Sequence, residues 1–138
     1  SDDSTFPLRE LHRMRVDVAV AERGYAYYAE NRVRYLCLDG MKGYALVEGT
    51  EPYDVEFVYS DGMIYALTCS CYCVGNCKHE VAAMLQLREM LDRIEENYAG
   101  EYAAAGYFAA RTGYVAAVSL EAFFTYAIDG KKTGTITL

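Results

Sequence analysis

Residues Thr68–Ala83 read TCSCYCVGNCKHEVAA. Cys69, Cys71, Cys73, Cys77 and His79 all fall in this stretch, so four of the chain's five cysteines and one of its two histidines are crowded together. Thiolate sulfur and imidazole nitrogen are the donors a tetrahedral zinc ion prefers. The Cys-x-Cys pair suits the end of a strand. Gly75 and Asn76 tolerate the left-handed backbone that bends a loop back. Cys-x-His then opens an apolar, helix-like run. We read the stretch as a Cys3His zinc site with Cys69, Cys71, Cys77 and His79 as ligands. A second register, Cys71 with Cys73, stays open; the first closes its loop with less strain and leaves Cys73 as a spare thiol. Disulfides are the poorer account, because neighbours at i and i+2 bridge badly and disulfide frameworks spread cysteines along a chain.

The spacing is neither that of a C2H2 finger nor of paired Cys-x-x-Cys knuckles. It resembles the SWIM zinc finger, whose pattern is Cys-x-Cys, a variable loop, then Cys-x-His. Cys77-Lys78-His79 followed by Val81-Ala82-Ala83 is also similar to that family. Tyr72 stands where many SWIM fingers carry proline, and the loop between Cys71 and Cys77 is short. The likeness extends over about residues 18–95 to the segment preceding the ATPase of bacterial Swi/Snf-type helicase-like proteins. It implies the same register, Cys69 with Cys71, and a module that contacts DNA or proteins.

At 138 residues and 53% hydrophobic, the chain is one domain's worth with a real core. No run approaches the roughly 18 apolar residues of a membrane span, and Ser1–Pro7 lacks the pattern of a secretory signal. With clustered reduced thiols, this points to the cytoplasm. Ser1 at one end and an apolar run to Leu138 at the other lead us to expect a fragment of a longer protein. The net charge is −7. Six basic side chains balance six acidic ones up to Tyr35, but two face six between Leu36 and His79, and five face eight beyond. The region around the metal loop is therefore acidic, and DNA is repelled at long range. Only Arg9, Arg13, Arg15, Arg32 and Arg34, converging on one face, would offset this. His12, among those arginines, reads as a solvated residue.

Outward from the cysteine cluster, periodicity supplies the rest. Val81, Met84, Leu85, Leu87, Met90, Leu91 and Ile94 make an apolar stripe on a helix over Lys78–Asn97. Upstream, the alternation of Arg32–Cys37, Tyr44–Glu48, Tyr53–Tyr59 and Met63–Thr68, punctuated by Asp39-Gly40 and Ser60-Asp61-Gly62, predicts a four-stranded antiparallel meander. In the first strand Val33, Tyr35 and Cys37 share one face, and Cys37 is taken as core. Val18, Ala21, Tyr25 and Tyr28 predict a helix over Asp17–Asn31, weakened by Gly24. Ser1–Pro7 reads as frayed. Tyr98–Ala110 reads as a linker or weak helix, Tyr114–Ile128 as a helix, and Thr133–Leu138 as a terminal strand.

The expectation is an α+β domain: an antiparallel meander of about four strands, a zinc knuckle leading into a long helix, and flanking helices. Residues 1–16 form a flexible segment, 17–97 the finger domain and 98–138 a helical extension. Gly130-Lys131-Lys132-Thr133 fails as a phosphate loop, no Gly-x-Ser-x-Gly elbow occurs, and a closed four-ligand site leaves no position for catalysis. Three functions follow. The first is a zinc-dependent interaction module, docking a protein partner or the chain's own ATPase domain. The second is a weak, direct DNA-binding finger. The third is a thiol redox sensor using Cys73.

Overall fold

Asp61 and Gly62 both take positive φ, 51° and 77°. This is the backbone of a two-residue turn whose twist matches the strands it joins. Four strands follow one another as antiparallel neighbours: β2 (Val33–Asp39), β3 (Lys42–Glu48), β4 (Pro52–Ser60) and β5 (Met63–Cys69), after a short β1 (Phe6–Pro7). The structure is a computed structural model. It describes residues 5–71, 73, 75–105, 107–111 and 114–116, and from residue 93 it describes the backbone. Two further strands, β6 (Tyr107–Arg111) and β7 (Tyr114–Ala116), complete an antiparallel sheet of order β1-β5-β4-β3-β2-β6-β7. With helices α1 (Val18–Ala29) and α2 (Lys78–Ala105), the fold is α+β, built around the expected meander.

One face of the sheet is apolar: Leu36 and Leu38, Ala45 and Val47, Val55 and Phe57, Ile64 and Leu67 are buried there. The buried residues of α2, among them Ala83, Met84, Leu87 and Met90, cover that face. Two bulges keep the faces aligned. Val33 pairs with Val47 but Tyr35 with Leu46, so β2 carries one extra residue. The extra residue inverts the alternation, so Leu36 and Leu38, not Tyr35 and Cys37, face the core. Cys37 is half-buried rather than core, and partial burial with Asp39 nearby pushes its thiol up to about 11.

Helix α1 begins where the Asp17 carboxylate accepts the Val20 N–H at 2.9 Å. It ends in a left-handed Asn31, φ 59°. It packs on α2. The hydroxyl of Tyr28 donates to the carboxylate of Glu89, which, with burial, pushes the hydroxyl up to about 12. Gly24 is the one buried residue of α1, and a Cβ there would lie 2.5 Å from the Cβ of Val81. The glycine that weakens the helix in isolation therefore lets the two helices touch. Gly24→Ala should lower stability by about 1–2 kcal/mol despite the gain of up to about 1 kcal/mol in helix propensity, because overpacking wins. Urea unfolding checks this.

Two expectations are corrected. Residues 6–14 of the N-terminal arm are seated on the domain: Phe6 pairs with Ile64, and Phe6, Leu8 and Met14 are buried. Arg9 holds Asp92 of α2 at 2.6 Å and keeps that carboxyl below its ordinary range. Phe6, Leu8 and Met14, with Leu11 and Val16 packed beside them, seat the arm on the core. His12 is exposed, as expected. At the other end α2 runs eight residues past Asn97, and 107–111 and 114–116 are strands, not linker or helix. The alanine-rich sequence favours helix locally, but the open edge of β2 offers a hydrogen-bond ladder from Tyr35 to Asp39, which β6 takes. The helix expected to Ile128 and the strand over Thr133–Leu138 otherwise lie outside the described residues.

Candidate metal centre

Cys69 is the last residue of β5. Its direction depends on the second bulge: Glu56 pairs with Thr68 but Val58 with Tyr65. Within that irregularity Ala66 takes φ 51°. A left-handed alanine costs on the order of 1 kcal/mol. In return, Ile64, Leu67 and Cys69 all turn inward. Ser70 then anchors the chain to β4, its N–H donating to the Asp54 carbonyl and its hydroxyl accepting the Asp54 N–H, both at 2.9 Å.

Cys77 caps α2: its carbonyl accepts the Val81 N–H at 3.1 Å. The Glu80 carboxylate reaches back to the Cys77 N–H at 3.1 Å. This is the acidic half of a capping box, with cysteine in place of serine or threonine. Glu80 is only 1% exposed. With the Asn76 amide oriented so that both of its atoms are satisfied, its side-chain N–H donates to the Glu80 carboxylate at 3.1 Å and its side-chain oxygen accepts the Arg15 backbone N–H at 3.2 Å. The N-terminal arm, the loop and the helix start are thus one hydrogen-bonded unit, placing Cys77 and His79 within one helical turn.

These elements bring Cys69, Cys71, Cys77 and His79 together, with one ligand atom from each lying within 4.8 Å of all the others. His79 Nδ1 is 3.6 Å from Cys69 Sγ and 3.7 Å from Cys77 Sγ. A tetrahedral ion with metal–sulfur bonds of about 2.3 Å and a metal–nitrogen bond of about 2.0–2.1 Å separates sulfur from nitrogen by about 3.6 Å. The four residues therefore fit a four-coordinate metal ion. Cys69, Cys77 and His79 are buried and Cys71 half-buried, so the group faces inward. Cys73 is exposed and stands outside the group. Of the two registers, the structure assembles the first.

Without a metal ion, Cys71 and Cys77 hold their protons. The Cys69 thiol, with burial, pushes Cys77 up to about 12, and burial pushes Cys71 up to about 11. Several thiolates cannot share one partly desolvated site without a cation. A dication reverses this and expels protons as it binds.

Comparison of the chain with protein-family models, curated proteins and solved structures finds no match. The centre is therefore described by its own geometry. Some of its parts carry no legible signal in the sequence. The imidazole of His79 stacks on Tyr53, with centroids 4.1 Å apart, and meets Tyr27 edge-on at 5.6 Å. Nothing distinguishes these two among 14 tyrosines before the strands are placed. Glu80 is visible as an acid in the first turn; its buried link to Asn76 is not.

The five arginines do not form a free basic face. Arg9 pairs with Asp92, Arg13 with Glu10, Arg32 with Glu30 and Arg34 with Glu48. Nearby, an open groove of about 340 Å³ is lined mainly by apolar side chains, including Leu11, Met14, Val18, Tyr25 and Leu85. Val18 is 74% and Tyr25 59% exposed there. No helix among the described residues is long and apolar enough to cross a membrane.

Proposed function

We propose that this chain is a zinc-binding interaction module of SWIM type, placed in the cytoplasm as part of a larger Swi/Snf-type DNA-dependent ATPase. The inward-facing Cys3His group carries the metal reading, because three thiolates and an imidazole in a closed tetrahedron suit zinc above the harder divalent ions. Its role is structural. It ties the end of β5 to the start of α2, joining the sheet to the helix that covers it, and it leaves no ligand position for a substrate. Elemental analysis of the purified protein tests this: one zinc per chain is expected, and a folded, metal-free, disulfide-linked protein would sink it.

Two observations support a protein surface over a nucleic-acid one. Arg9, Arg13, Arg32 and Arg34 already carry acidic partners, and the exposed apolar groove suits the apolar surface of a partner protein or of the ATPase domain. The chain should bind duplex DNA with Kd no tighter than roughly 10⁻⁴ to 10⁻⁶ M at physiological salt. Fluorescence anisotropy at two salt concentrations measures this. Sub-micromolar binding abolished by Arg32→Glu/Arg34→Glu would promote the nucleic-acid reading. The exposed Cys73 beside Cys71 favours redox sensing as a second reading. In it, peroxide oxidises the exposed Cys73 thiol to a sulfenic acid, the thiol and hydrogen peroxide giving Cys–SOH and water.

A further inference from the structure

His79 is buried and its Nε2 makes no hydrogen bond. The nitrogen that faces the sulfurs is Nδ1, at 3.6 and 3.7 Å. Something must hold the ring this way round, because a half-turn about Cβ–Cγ would carry Nδ1 away from the cysteines. We propose that Tyr53 and Tyr27 are positioning residues for the metal ligand His79, and that Gly49 keeps open the space in which the three rings meet. This rests on the zinc reading above and extends it to residues outside the cysteine loop.

Tyr53, on β4, lies nearly parallel to the imidazole, 21° between planes and 4.1 Å between centroids. To turn over, the imidazole must pass through an orientation perpendicular to its present one, and a stacked ring at that distance blocks the passage. Tyr27, on α1, closes a second side at 63°. Two cations hold Tyr27 in turn: the Arg32 guanidinium is 5.0 Å and the Lys78 ammonium 5.3 Å from its ring centre. Gly49 belongs to the turn joining β3 to β4. A Cβ there would lie 3.0 Å from Tyr53 Cε2, 3.3 Å from Tyr27 Oη and 3.4 Å from His79 Nε2. One methyl group would press on all three side chains at once, so a glycine stands at their common point. The aromatic enclosure keeps Nδ1 on the metal side even though Nε2 is left buried without a partner.

Zinc affinity is measured by chelator competition on the full chain, and the His79 nitrogens are read by long-range proton–nitrogen NMR. Zinc-loaded wild-type protein should show Nδ1 bound and Nε2 protonated. Tyr53→Leu and Gly49→Ala should each weaken zinc about 10- to 100-fold, the range found when residues supporting a metal ligand are changed. Tyr53→Phe, which keeps the ring, should stay within about threefold of wild type. Ligation through Nε2 in the wild type overturns the proposal. So does unchanged affinity with an unchanged nitrogen pattern in Tyr53→Leu. The nitrogen assignment needs only the wild-type chain, so it decides the matter even where a variant does not fold. Failure of the zinc reading looks different: wild-type protein then takes up no stoichiometric zinc, or Cys77→Ser takes up as much as wild type.

Discussion

Cys77→Ser should lose stoichiometric zinc and lower the melting temperature by about 10–20 °C, while Cys73→Ser should keep one zinc per chain. The substitution isolates the metal. Serine is a good helix N-cap, so the start of α2, the Glu80 contact and the packing behind them are retained. What goes is a soft sulfur 3.7 Å from His79 Nδ1, replaced by a hydroxyl that does not ionise at neutral pH. A structural zinc is worth on the order of 10–16 kcal/mol in finger peptides that are unfolded without it. Here the sheet and α2 supply a separate core, so the chain should remain folded and only part of that energy should appear as stability. A loss of about 3 kcal/mol moves the midpoint of a domain this size by about 10 °C or more. Calorimetry with parallel zinc determination checks both variants. Zinc lost from Cys73→Ser but kept in Cys69→Ser would establish the other register.

Zinc affinity should fall at least about 100-fold for each unit the pH is lowered between 8 and 6. In the metal-free centre Cys77 is pushed up to about 12 and Cys71 up to about 11 from an ordinary 9.0. Both therefore carry protons throughout that range, and the metal must displace one from each. These two protons by themselves make the apparent binding constant fall tenfold per proton per pH unit, and any proton released by the other ligands steepens the slope. The metal-free protein should behave in the opposite sense. Its raised thiols contribute stability that is fully present below pH 9 and is lost as the pH rises through 11 and 12. Zinc competition at pH 6, 7 and 8 measures the first slope, and alkaline denaturation in chelator measures the second. A flat zinc affinity across those three values would show that the thiols are already ionised before the metal arrives.

Much of this molecule is written locally. The crowding of Cys69, Cys71, Cys77 and His79 announces the centre, because metal chemistry needs those donors and a short loop can deliver them. Asp61-Gly62 marks a hairpin because few residues adopt its backbone cheaply. The stripe from Val81 to Met90 marks the covering helix because its spacing follows the helical repeat. Pairing of segments far apart in sequence decided the rest. The bulge at Arg34 turns Leu36 inward and Cys37 away, and only the register against β3 reveals it. The bulge at Ala66 aims Cys69, and an alanine at φ 51° gives no hint of itself as glycine would. The edge of β2 draws an alanine-rich segment into strand against its own propensity. Tyr27 and Tyr53 reach His79 from α1 and β4, so their role exists only once those elements have packed around α2. A short-range pattern states what a residue can do; which neighbour it meets is set by cross-strand hydrogen bonds and helix packing that no local pattern carries.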